Sequence, residues 1–193
     1  MRYSTCLLCL QSVLLLAWTG SSAVAQMTAA ADSLITNSGF ELDADLDQWP
    51  DRWPKGEHLQ WGEEAGNRFL RIEATAPGKL LMAYREIGVP ADARALKFTW
   101  KQRITNLQPG EKMWFNARIL IEFMDAGRAK LTPSPKPFAY GKNHPEWEAK
   151  EASFLVPEGA RIIKFMPCLF NVNAGTYDLD DLVITPIDPA SLL

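Results

Sequence analysis

Met113-Trp114-Phe115-Asn116-Ala117-Arg118-Ile119-Leu120-Ile121-Glu122-Phe123 is the stretch that decides the fold. Met113, Phe115, Ala117, Ile119, Ile121 and Phe123 alternate with Trp114, Asn116, Arg118, Leu120 and Glu122. A period of two sends alternate side chains to opposite faces of an extended chain, so the segment reads as a strand with one face in a core. The same alternation separates Leu96, Phe98 and Trp100 from Lys97, Thr99, Lys101 and Arg103. Strands with one apolar and one polar face belong to antiparallel sheets stacked in a sandwich.

Working outward, further strand-like runs fall at 68–75, 79–87, 95–104, 147–156, 161–170 and 176–185. Turn chemistry separates them: Ala76-Pro77-Gly78, Gly88-Val89-Pro90, Gln108-Pro109-Gly110, Pro157-Glu158-Gly159 and Ala174-Gly175. Seven such strands predict an all-β fold, a β-sandwich jelly roll of two antiparallel sheets. Residues 127–144 hold Pro133, Pro135 and Pro137 without periodicity, and read as a long loop at one edge.

Residues 1–25 read as a secretory signal peptide. Arg2 is the basic start, the run from Cys6 to Trp18 is the apolar segment, and Ala23-Val24-Ala25 is a small-x-small cleavage site. The expected organisation is signal peptide 1–25, flexible leader 26–33, jelly roll 34–187 and tail 188–193. Export to the periplasm or the extracellular space follows, and no run is long enough for a membrane span. The remaining chain of roughly 170 residues suits one domain able to bury about 70% of its unfolded surface. A net charge of −3 argues against nucleic acid. Cys6 and Cys9 fall in the signal, leaving Cys168 alone, so no disulfide is expected after cleavage. Its neighbours Phe165, Met166, Leu169 and Phe170 mark it as a buried small hydrophobe.

Asn37-Ser38-Gly39-Phe40-Glu41 near the start is followed by Pro50-Asp51-Arg52-Trp53. Val156-Pro157-Glu158-Gly159-Ala160 and Gly175-Thr176-Tyr177-Asp178-Leu179-Asp180-Asp181 come later. In this order they resemble the CenC-type carbohydrate-binding modules of families 4, 9 and 22, within the galactose-binding-like jelly rolls. The resemblance covers about 34–187. It implies that the first and last strands lie together, often sharing a calcium ion, and that the module works beside a glycoside hydrolase, here encoded separately. It maps the calcium ligands to Glu41 and Asp181, with Asp180 as alternate and Asn37 as a carbonyl donor. Oxygen-only ligation suits calcium. The residues alone equally allow acids that cap strand ends and face solvent.

A polysaccharide or glycan needs aromatic platforms flanked by planar polar groups. The polar face of 113–123 offers Trp114, Asn116, Arg118 and Glu122, to which neighbouring strands add Tyr84, Lys101 and Arg103. Trp53, Trp100 and Trp147 read as core; the roles of Trp61, Tyr140 and His144 stay open.

Enzyme readings find less support. Glu41-x-Asp43-x-Asp45 resembles part of a retaining-glycosidase carboxylate strand but lacks its final acid, and Tyr140 with His144 would be the base and acid of a lyase. The expected function is non-catalytic glycan binding with structural calcium. A protein-interaction module on the same fold, or a small polysaccharide lyase or glycoside hydrolase, is the alternative.

Overall fold

The computed structural model describes residues 33–192. The signal peptide read at 1–25 and the leader residues 26–32 lie outside the described residues. Strands follow in chain order: β1 (Leu59–Glu64), β2 (Asn67–Ala74), β3 (Lys79–Met82), β4 (Arg85–Gly88), β5 (Ala95–Gln108) and β6 (Ala117–Met124). They continue with β7 (Lys130–Leu131), β8 (Phe138–Tyr140), β9 (His144–Leu155), β10 (Ile162–Val172) and β11 (Ala174–Ile187). A short 3-10 turn, Pro189–Leu192, ends the described chain.

The strands form two antiparallel sheets. One is ordered β1-β2-β11-β5-β9; the other is β3-β10-β6-β7, with β4 also on β10 and β8 also on β6. The fold is the β-sandwich expected from the alternation. Leu96, Phe98, Trp100 and Ile104 of β5 face inward with Leu70 and Ile72 of β2, and meet Ala117, Ile119, Ile121 and Phe123 of β6. Phe98 joins the layers: it stacks on Trp100 at 4.2 Å and meets the edge of Phe165 from β10 at 5.5 Å. A fully buried aromatic of this kind contributes on the order of 3–5 kcal/mol relative to alanine.

A bulge in β11 governs its C-terminal half. Pairing with β5 shifts register between Asp180 and Val183, and Asp181 takes a left-handed φ of 48°. One extra residue inverts the side-chain parity, so Tyr177 and Leu179 point inward before the bulge and Leu182 and Ile184 after it. The N-terminal segment lies along this half. Leu182 donates its N–H to the Ser38 carbonyl at 3.1 Å, and Leu34 donates to that of Ile184 at 2.8 Å. Phe40 is fully buried against Trp53, ring centroids 4.6 Å apart. The two ends of the domain are therefore adjacent, although 34–41 forms turns and not a first strand.

The strands differ from the sequence reading most at four places. The strand predicted from Met113 begins at Ala117, because Gly110 N–H reaches the Phe115 carbonyl at 3.0 Å and closes the preceding residues into a turn. The turn needs glycine: a Cβ on Gly110 would stand 2.2 Å from the Asn171 carbonyl oxygen. The run 79–87 is two strands, both paired to β10. The long loop at 127–144 contains β7 and β8, which hydrogen-bond to β6. β1 was missed because Leu59-Gln60-Trp61-Gly62-Glu63-Glu64 lacks apolar alternation. Phe69 closes over Gly62 opposite it, where a Cβ would come within 2.4 Å of the ring.

Candidate functional site

The seven residues expected to form one binding face divide between the two outer surfaces of the sandwich. Lys101 and Arg103 belong to β5, whereas Asn116, Arg118, Glu122 and Tyr84 lie on or beside the six-stranded sheet. This corrects the picture of a single row: β5 and β6 alternate in the same way but sit in opposite layers, facing each other through the core.

On the five-stranded surface the polar groups are mutually satisfied. Arg71 donates from Nε and Nη2 to the two oxygens of Asp178 at 2.7 and 2.8 Å. Arg103 reaches Asp178 Oδ2 at 2.9–3.0 Å and Glu64 Oε2 at 2.7 Å. Arg103, followed by Trp147, holds the Glu64 carboxyl below its ordinary range. Trp147 and Phe69 meet edge to face at 5.4 Å, and the Arg103 guanidinium lies 4.8 Å over Trp147. Trp147 is thus not in the inter-sheet core; it packs half-buried on the outside, whereas Trp53 and Trp100 are buried as expected. Lys101 pairs with Asp181 at 2.8 Å.

On the six-stranded surface Arg118 folds back. Its Nε and Nη2 donate to Asn116 Oδ1 at 3.0 and 2.7 Å, Nη2 also reaches the Trp114 carbonyl, and the guanidinium lies 4.9 Å over Phe170. Arg118 and Asn116 are both buried, and burial lowers the Arg118 pKa. These two side chains brace the turn before β6. Glu122 pairs with Lys130. Trp114, in the turn and not in the strand, is 51% exposed, and Tyr84 at the β3–β4 junction is 40% exposed. Cys168 lies on this sheet fully buried, its thiol pushed up to about 12 by desolvation.

Tyr84 also stands at the rim of a groove of about 770 Å³ between segment 34–54 and β4, lined by Thr36, Asn37, Asp51, Arg52, Trp53, Arg85 and Glu86 among others. Its floor is Trp53, with the Arg85 guanidinium stacked on it at 4.5 Å. Arg85 donates to the Thr36 carbonyl at 2.9 Å and to Thr36 Oγ1 at 2.7 Å. Burial, then the neighbouring Arg52 charge, pushes the Arg85 pKa down to about 10. Desolvation, then its hydrogen bond to Glu86, raises the Tyr84 phenol to about 12. Sequence reading passed over Arg52 and Arg85 because nothing local distinguishes them; only the fold brings them together.

The expected calcium residues meet in part. Around Gly39, the place of an added Cβ lies 3.7 Å from Asp181 Oδ1, 3.9 Å from Asp180 Oδ1 and 3.9 Å from Glu41 Cγ. Asp180 is buried; desolvation first, with the Asp181 charge adding, raises it from 3.8 to about 6. Two crowded carboxylates, one desolvated, are chemistry that a hard cation would relieve. The Asn37 side chain binds the Leu42 and Asp51 carbonyls and the Leu42 N–H, and so braces the loop beside them. A second acidic group was missed. Carboxylate oxygens of Asp43, Asp45 and Asp51 lie within 4.8 Å of one another. The alternation Asp43-x-Asp45-x-Asp47 with Asp51 beyond was its signal in the sequence.

No family model and no curated protein matches the chain. Solved structures match its fold. The enzymatically active domain of bacteriophage CBA120 tailspike protein 4 superposes with a TM-score of 0.57 at 9% identity, over 81% of this chain and 22% of that one. The module TmCBM61 in complex with β-1,4-galactotriose gives 0.50 at 14% identity, over 80% of this chain and 99% of the module. Arabinose-bound MgGH51 α-L-arabinofuranosidase gives 0.52 at 10% identity, over 80% of this chain and 26% of the enzyme. The chain thus spans about a fifth to a quarter of the two enzymes' length. It has the jelly-roll fold of carbohydrate-binding modules.

Proposed function

We propose that this protein is an exported, non-catalytic module that binds a polysaccharide or glycan, held across the outer face of the six-stranded sheet and into the groove at β4. The observation that carries the reading is that groove. It is concave, rimmed by the exposed ring of Tyr84, floored by a guanidinium stacked on Trp53, and of a size that suits one or two sugar rings. Trp114 supplies a second exposed aromatic on the same side of the sandwich. The fold adds support, because TmCBM61 is matched over nearly its whole length.

Binding without hydrolysis is favoured by where the carboxylates lie. Among the described residues, the carboxylate with a raised pKa, Asp180, sits at the β11 bulge and not in the groove. In the groove, Glu86 is lowered by Tyr84 and Arg128 and is engaged with both, which leaves it a poor proton donor. A structural calcium ion held by Asp180, Asp181 and Glu41 would tie the N-terminal segment to β11, and a separately encoded glycoside hydrolase is the natural partner of such a module. A protein partner is the second reading, favoured by the exposure of Leu80, Met113 and Trp114 along the six-stranded sheet.

Affinity electrophoresis through gels containing neutral or acidic polysaccharides tests this. At least one polymer should retard the protein, and Tyr84→Ala should weaken that retardation about tenfold, the cost of losing one aromatic contact. Retardation by no polymer, with calcium or with chelator, refutes glycan binding.

A further inference from the structure

Cation pairing separates two arginines of the groove at β4 from most of the others. Arg68 pairs with Glu63, Arg71 and Arg103 with Asp178, and Arg128 with Glu86. Among the described residues, neither Arg52 nor Arg85 has a carboxylate within ion-pair distance, and the charge that acts on Arg85 is that of Arg52. Both line the groove at β4. Arg94, Arg118 and Arg161 also lack a carboxylate, but each donates to backbone or side-chain acceptors near it in sequence, and none lines that groove.

Arg85 is held as a receptor would be. Stacking on Trp53 and two hydrogen bonds to Thr36 fix the guanidinium plane and use two of its five N–H groups. The others have no partner among the described residues. Arg52 reaches the groove from a left-handed residue, φ 70°, in the turn that Trp53 N–H closes onto the Pro50 carbonyl. Two like charges lining one groove, one partly desolvated, are unfavourable unless an anion joins them. The acids in the groove lie beyond ion-pair distance of either arginine: Asp51 turns to the Ala44 N–H, and Glu86 is bound by Tyr84 and Arg128. Planar guanidiniums suit two-oxygen anions, carboxylate above all.

We propose that the Arg52–Arg85 pair binds the anionic substituent of an acidic polysaccharide, a uronate carboxylate or a sulfate ester, while Tyr84 packs against the ring that carries it. This rests on the glycan-binding reading and narrows it to charged glycans. The protein's net charge of −3 disfavours unspecific attraction to a polyanion, so retention would have to come from a local site.

The test is affinity electrophoresis of the wild type, Arg52→Gln and Arg85→Gln at about 0.15 M salt, where the Debye length is about 8 Å. The gels contain polygalacturonate, dextran sulfate, neutral β-1,4-galactan or no polymer. Retention by polygalacturonate alone assigns a carboxylate ligand, by dextran sulfate alone a sulfate, and by both a general oxyanion site. In each case Arg52→Gln should weaken binding about tenfold, the cost of one charge-assisted hydrogen bond. Arg85→Gln removes a packed side chain, so its melting temperature is measured in parallel; Arg52 is exposed, and its variant decides if Arg85→Gln is unstable. Retention by galactan but neither polyanion overturns the inference and leaves glycan binding standing, as does polyanion retention unchanged in Arg52→Gln. Retention by none of the polymers removes both.

Discussion

Asp178 sits between Arg71 and Arg103 on the outer surface of the five-stranded sheet, and its side chain is completely buried there. It accepts at both oxygens from Arg71 and at one from Arg103. The arginines remain 30% and 14% exposed. Replacing Asp178 by Ala therefore leaves the little-exposed Arg103 guanidinium with Glu64 as its one remaining carboxylate among the described residues, while Arg71 can turn outward. Breaking a buried pair by removing one partner costs about 3–5 kcal/mol. Solvent access at Arg71 places this case at the lower end, about 3 kcal/mol. For a domain of this size each kcal/mol moves the melting temperature by roughly 2–4 °C, so Asp178→Ala should melt about 6–12 °C lower. Asp178→Asn keeps one acceptor oxygen and should lose less. Thermal melts followed by tryptophan fluorescence measure both. A loss below about 1 kcal/mol for Asp178→Ala would refute the reasoning, because the network would then be an exposed surface pair.

Two further outcomes follow from other parts of the fold. Asp180 has its folded-state pKa raised from 3.8 to about 6 by burial, so its stabilising share is complete below pH 4 and is lost as pH rises through 6. At about 1.36 kcal/mol per pKa unit this is about 3 kcal/mol, so in chelator Asp180→Asn should gain that much on the wild type between pH 4 and 7. Equal pH slopes in urea titrations of the two proteins would contradict it; calcium that stabilises the wild type and not the variant would support the proposed ion. Gly175→Ala should cost about 2–4 kcal/mol, since φ is 135° and the new Cβ would stand 2.8 Å from Leu107 Cα; an unchanged urea midpoint would rule the close contact out.

The layers of this protein were legible where alternation is strong and absent where glycine or a bulge carries the structure. Leu96, Phe98 and Trp100, like Ala117 to Phe123, declared their inward faces because water-exposed and core positions differ in polarity. β1 did not, since Gly62 has no side chain to alternate and takes its apolar cover from Phe69 across the strand pair. The resemblance joined the chain ends and with them Glu41, Asp180 and Asp181, but periodicity alone could not reveal the register shift after Asp180 that turns Leu182 inward. Strand assignment also cannot say which sheet a strand joins. Lys101 and Arg118 have the same pattern and stand on opposite sides of the molecule.

That separation bears on where a ligand goes. The five-stranded surface has neutralised its own charges: Asp178 answers Arg71 and Arg103, Glu64 answers Arg103, and Asp181 answers Lys101. A glycan docking there would displace well-made, charge-assisted hydrogen bonds and recover at best equivalent ones. At the β4 edge of the other sheet the balance is reversed. Arg85 keeps unused donors in a fixed plane, Arg52 has no carboxylate within ion-pair distance among the described residues, and Tyr84 exposes a ring that the core does not need. Binding there adds partners without removing any, so the unequal commitment of the two surfaces favours the groove at β4.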